Sequence, residues 1–199
     1  MKKKIAWGAA ALLLLALGFG AVVEVGRHGL GGGRASNERN ASVSLKTLTS
    51  AECDFKSNDR DQDGELAFWV GDVSRLRYLE VRGVRIELIE GSVADADAAP
   101  LRPLAEPMAR VGYRYFVMKT DETGAPYNGG KNTNPEKYGF CAVPVEYLPE
   151  GTFLRGSSGV TRWTFIVNQE NIIWRKDTRA APVLAFPKDP RAEGWSRLD

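Results

Sequence analysis

One histidine, two cysteines and three methionines are all that this chain of 199 residues offers of the side chains that carry most nucleophilic, redox and soft-metal chemistry. The histidine, His28, stands in the glycine-rich string "GRHGLGGGRAS". A general base needs a rigid partner to orient it, and a glycine run supplies none. That argues against Ser-His-Asp and Cys-His catalysis. No Gly-x-Ser-x-Gly elbow occurs, so "GSSG" (Gly156–Gly159) reads as a turn. No glycine string runs on into Gly-Lys-Ser/Thr, which excludes a phosphate loop at "GGG" or "NGG". A hydrolase built on the carboxylates of Glu146 and Glu150 has only their abundance behind it.

Excess charge of either sign is also lacking. Five of the 27 basic and one of the 25 acidic residues fall in residues 1–36, which leaves 22 bases against 24 acids beyond them. A near-neutral remainder has no basic face for nucleic acid, so no nucleic-acid partner is expected. There is no internal repeat, no heptad stretch and no βαβ alternation.

What is present begins with Lys2, Lys3 and Lys4, followed by an uncharged run from Ile5 to Val23 and closed by Glu24. A membrane helix needs roughly 20 apolar residues and a signal-peptide core about 7–15. The run therefore predicts an uncleaved single-pass anchor, residues 1–25. A cleaved signal is the alternative, because Gly18, Gly20 and Ala21 offer small residues for a cleavage site. The lysines put the N-terminus in the cytoplasm and the rest outside the inner membrane, periplasmic or secreted if the signal is cut. Residues 26–36 form a flexible glycine-rich linker. Residues 37–199 form the extracytoplasmic domain.

That domain opens on "SNERNASVSLKTLTSAECDFKSN". Leu45, Leu48, Ala51 and Phe55 recur at helical spacing, and Ser36 or Asn37 can cap the start. A short helix capped by Asp72 follows, then a loop-like stretch carrying Pro100, Pro103 and Pro107. The second half turns to aromatic and β-branched residues. "GYRYFVMKT", "YGFCAVPVEY" and the two halves of "VTRWTFIVNQENIIWRKD" predict an antiparallel meander of about four strands. Pro144 marks an edge or a strand end. Trp69, Tyr113, Tyr115, Phe116, Trp163, Phe165 and Trp174 are expected in its core, and Trp195 to tuck the tail back. The fold class is α+β, with the amphipathic helix across one face of a small antiparallel sheet.

Between helix and sheet lies "SNDRDQDGELAFW". Asp59, Asp61 and Asp63 occupy calcium-loop positions 1, 3 and 5, and Gly64 the sharp turn at 6. Glu65 can give the backbone carbonyl of position 7. The closing bidentate glutamate of position 12 is Val70, and Asp72 is the substitute two residues on. Either the run is a structural calcium site or it is a solvated turn. Cys53 and Cys141 likewise form either a disulfide or two buried thiols. A bridge closing a loop of almost ninety residues is worth about 4 kcal/mol in the chain-entropy model.

"NERNASVSLKTLTSAECDF" resembles the post-membrane helix of exported bacterial pilin-like proteins. "GYRYFVMKT", "YGFCAVPVEY", "RWTFIVNQENIIWRKDT" and "GWSRLD" are similar to uncharacterised exported bacterial proteins, planctomycete ones included. The resemblance implies a pseudopilin-like shape and an envelope location, and transfers no catalytic residue. The standard prepilin cleavage motif is absent, and a glycine linker interrupts the helix that pilins keep continuous. The expected role is non-enzymatic: a structural or protein-interaction part in the cell envelope or in secretion, with other envelope proteins as partners. A tethered module that binds carbohydrate or peptide is the alternative, and a hydrolase the third.

Overall fold

A computed structural model describes residues 33–147, 149 and 161–198. The expected anchor, His28, most of the linker, Glu150 and the "GSSG" turn lie outside the described residues. Among the described residues no helix is long and apolar enough to cross a membrane.

The first element, α1 (Arg34–Ser57), is a helix of 24 residues, about 36 Å long at 1.5 Å per residue. Ala41, Leu45 and Leu48 are fully buried, Phe55 is 1% exposed, and Ala51 extends the same stripe. The helix starts earlier than its capping residues suggest. Gly33 is the N-cap, and its carbonyl accepts the amides of Ser36 (2.7 Å) and Asn37 (3.1 Å). An Arg34–Glu38 ion pair (3.1 Å) spans the first turns. The linker therefore ends at Gly33, and Asn37 is buried against the domain instead of capping.

At the other end, Arg60 N–H donates to Phe55 O (3.1 Å) and Asp59 N–H to Lys56 O (3.4 Å), with Asp59 left-handed at φ 44°. These are the two bonds of a Schellman stop, with aspartate where glycine is usual. The chain then forms β1 (Phe68–Trp69), the single turn α2 (Arg75–Tyr78), a hairpin of β2 (Glu80–Val81) and β3 (Val84–Arg85), and the single turn α3 (Gly91–Ala94). The hairpin corrects the loop-like reading of this stretch. Arg82 and Gly83 are both left-handed (φ 51° and 79°), as a two-residue type I′ turn requires. An arginine in that turn gives little local warning of it.

The main sheet has five antiparallel strands in the order β4-β6-β7-β8-β9: Tyr113–Val117, Gly139–Pro144, Thr164–Asn168, Trp174–Lys176 and Ser196–Arg197. It is the expected meander with one strand added from the tail. Pro144 ends β6, a central strand. The remaining strand, β5 (Thr133–Asn134), leaves the sheet to pair with β1.

Register fixes the two faces. Tyr115, Ala142 and Phe165 are cross-strand neighbours on one, Phe116, Cys141, Ile166 and Trp174 on the other. The first face lies under α1, which packs on β6 and β7. Tyr113 and Phe165 meet there with ring centres 5.9 Å apart. The hairpin turn after β7 is pinned to the helix by Thr49 Oγ1 donating to Asn171 Oδ1 (3.0 Å). The second face lies under the C-terminal segment. Lys119 N–H donates to Leu184 O (2.6 Å), Phe186 N–H to Thr120 O (2.9 Å), and Phe186 and Trp195 are buried. Cover on both sides is why every residue of β6 and β7 is buried.

This arrangement decides the cysteines. Cys53 is exposed on α1, Cys141 is buried on the sheet face turned away from α1, and both thiols are free. The bridge and the pair of buried thiols are both corrected, because a whole sheet stands between the two side chains. Burial pushes the Cys141 thiol up to about 12, against the pull of the Val183 amide. Iodoacetamide under native conditions is expected to label Cys53 alone, and both thiols only in denaturant; a non-reducing mass spectrum two hydrogens light overturns this. Leu48→Ala is expected to cost ~2–5 kcal/mol in urea denaturation, whereas Val43→Ala, at a position 54% exposed, stays within about 0.5 kcal/mol.

Candidate functional site

The helix stop shapes the aspartate loop. The left-handed turn at Asp59 aims its carboxylate back along the loop, where Oδ2 accepts Gly64 N–H (3.2 Å). Asp63 Oδ1 accepts Glu65 N–H (2.7 Å), and Gly64 takes the φ of 87° that the sharp bend needs. One oxygen each of Asp59, Asp61 and Asp63 then lie within 4.8 Å of one another. Asp59 Oδ1 is buried with no hydrogen-bond partner. Asp61 is raised above the usual carboxylate range, first by burial and then by the charges of Asp63 and Asp59. Three convergent hard oxygens with one lone pair unspent are a chemical match for a calcium-sized cation.

The other expected ligands do not join them. Glu65 turns its side chain to Lys131 Nζ (2.8 Å) on the 121–137 loop. Val70 is buried, and its N–H donates to Asn132 O (2.8 Å). Asp72 is the clear correction, at 2% exposed and fully engaged elsewhere. Trp69 Nε1–H donates to its carbonyl (2.9 Å) and to Oδ1 (3.2 Å). Ser74 Oγ–H (2.9 Å) and Leu101 N–H (2.8 Å) both donate to Oδ2. Its Oδ1 also accepts Arg75 N–H (3.3 Å), but the N-cap of α2 is Ser74 and not the expected Asp72. A residue two places past position 12 points into the protein here because Trp69 and Val70 are inward-facing core.

Asp72 belongs to a buried acidic network that spacing alone does not suggest. Ser74 N–H donates to Asp97 Oδ2 (2.8 Å) and Ala99 N–H to Asp97 Oδ1 (2.9 Å). Burial outweighs these amides and, with Asp72 alongside, lifts Asp97 to about 6. On α1, Glu52 is fully buried. Its Oε2 accepts Trp69 N–H (2.8 Å) while Oε1 has no partner. Burial holds it well above the usual carboxylate range. Glu52 stands seven residues after Leu45, on the apolar stripe itself, and that position is the signal that marks it as buried. Ser74 commits its proton to Asp72, and among the described residues no basic nitrogen stands in a triad with them. Glu146 contributes its carbonyl to Thr161 N–H (3.2 Å). Of the expected core aromatics, Trp163 alone is only half-buried, lying between the guanidiniums of Arg162 (4.5 Å) and Arg175 (5.0 Å).

No known protein-family model, curated protein or solved structure matches the chain.

The two buried acids set a pH dependence. A carboxyl raised in the folded state stabilises the fold below its unfolded value, and that contribution is lost as pH climbs through the folded value. For Asp97 the window runs from about 4 to about 6. Stability, and with it the melting temperature, is expected to rise as pH falls from 7.5 to 5, the gain in unfolding free energy being on the order of 1–3 kcal/mol. Glu52→Gln, which keeps the acceptor for Trp69 and removes the ionisation, is expected to stabilise the protein at alkaline pH; a melting temperature that falls on acidification sinks this.

Proposed function

We propose that the chain is an exported, membrane-tethered, pilin-like domain that works by protein contacts in the cell envelope or in secretion, without catalysing a reaction. The observation that carries this reading is the way α1 lies along an antiparallel sheet. A helix of 24 residues begins at Arg34, runs under β6 and β7, and is followed by a long connector before the sheet starts. The apolar run Ile5–Val23 lies upstream of that same helix. A helix downstream of an apolar run, with a meander folded along it from Glu38 to Thr49, is the shape the pilin resemblance implies. Further support comes from the buried acids, which are bound to main-chain amides and a serine instead of facing a substrate.

Calcium has a structural role in this reading. Bound by Asp59, Asp61 and Asp63, it neutralises their mutual repulsion and locks the end of α1 to β1, with solvent completing its coordination. Glu65 contributes at most its carbonyl.

Fractionation of the full chain expressed in a bacterial host tests the location. It is expected in the membrane fraction, released by detergent and digested by protease added to spheroplasts; recovery in the cytosol overturns it. Cross-linking in intact cells is expected to give ladders of the chain with itself or with envelope proteins, and an ectodomain that stays monomeric and uncross-linked favours the tethered binding module. For calcium, a concentration 100-fold above Kd contributes about 2.7 kcal/mol, roughly 5–10 °C for a chain of this size. Asp61→Asn is expected to abolish the shift. An unchanged melting temperature in millimolar calcium removes the metal from the account.

A further inference from the structure

We propose that the cleft between the β2–β3 hairpin and the 102–105 segment binds a compact ligand carrying an oxyanion, a carboxylate or a phosphate. The cleft encloses about 340 Å³, at the small end of ligand pockets and enough for one substituted ring. Three guanidiniums, from Arg75, Arg85 and Arg102, line it. These come from α2, β3 and the loop at 102–105, so their convergence is invisible in the sequence.

The cations are poorly answered by the protein itself. Arg75 Nε is buried with no hydrogen-bond partner, and the Trp69 ring, 5.9 Å away, backs the guanidinium. Arg102 makes no ion pair or hydrogen bond among the described residues. Arg85 has only Glu80, at 3.9 Å, with both side chains more than half exposed, a pair too solvated to hold the charge. Asp95 is the one acid in the lining, and Tyr78 Oη–H already donates to it (2.8 Å). A buried, unpaired guanidinium N–H is costly, and a ligand acceptor relieves it. The planar fork of arginine matches carboxylate and phosphate oxygens in pairs. Residues 103–105 and the Tyr78 ring, which also carries Arg85 at 5.7 Å, give an apolar wall for the body of the ligand.

Glu90 is withdrawn from competition by its pairing with Arg110, and Glu87 by its pairing with Arg77 (3.6 Å). The cleft is separate from the aspartate loop, so anion capture and calcium binding are independent properties.

Titration calorimetry of the full chain in detergent, in 150 mM sodium chloride, tests the site with three probes: inorganic phosphate, glucuronate and glucose. Saturable binding of phosphate or glucuronate, with none of glucose, is the expected result. Phosphate alone assigns a phosphoryl ligand and glucuronate alone a carboxylate. Arg102→Gln and Arg85→Gln, both at exposed positions, are each expected to weaken binding about tenfold. Asp95→Asn is expected to tighten it, a change of opposite sign that loss of folding cannot mimic. Absence of anion binding in this salt, equal binding of glucose, or wild-type affinity in both arginine variants overturns the proposal.

Discussion

The contact between α1 and the sheet is the constraint on which the rest depends. Leu45 and Leu48 are fully buried on the stripe of α1, which packs on β6 and β7, while Tyr115 and Phe165 lie fully or almost fully buried on the sheet face beneath it; Phe55, further along the stripe, meets Trp69 of β1 with ring centres 5.9 Å apart. Each surface is unstable without its mate: serine and β-branched residues make α1 weak alone, and a single uncovered sheet does not persist in water. Their joining sets the chain on either side of the long connector, which packs between them.

The connector is held by a polar thread. It starts at Glu52 on α1 and passes to the Trp69 amide, then from the Trp69 indole to Asp72, through Ser74 to Asp97. It reaches the sheet where Ala98 N–H and Tyr115 O pair at 2.7 Å. Four of its members are buried polar groups whose bonds to one another specify one path across the core. Such networks act as a unit in a low-dielectric interior, where a broken link leaves a desolvated group behind. Two carboxyls displaced from their usual range are the physical cost of that specificity.

Much of this was legible in the residues. The stripe on α1 and the strand candidates follow from period, and the aspartate loop is local, so its spacing is its geometry. What escaped was non-local or weakly signalled. β5 is two residues long and exists because β1 is opposite it. Asp72 could be counted into a ligand set because spacing says how far along the chain a side chain lies and nothing about which way it points. Ser36 and Asn37 are caps by residue type, yet the helix starts at Arg34, where the Gly33 carbonyl takes their amides and Arg34 pairs with Glu38. The arginine cleft draws on three elements and has no sequence signature at all.

One edge of the sheet is already spoken for. Residues 96–98 run beside β4 in parallel and take up Tyr115 N–H as well as its carbonyl. The opposite border is β9, two exposed residues, one of them an arginine. A border so short and charged gives a neighbouring backbone almost nothing to zip onto. If copies of this domain stack into a larger structure, the borders of its main sheet favour joining through side-chain surfaces over extension of the strand ladder. Both borders of this sheet are therefore poor templates for an added strand.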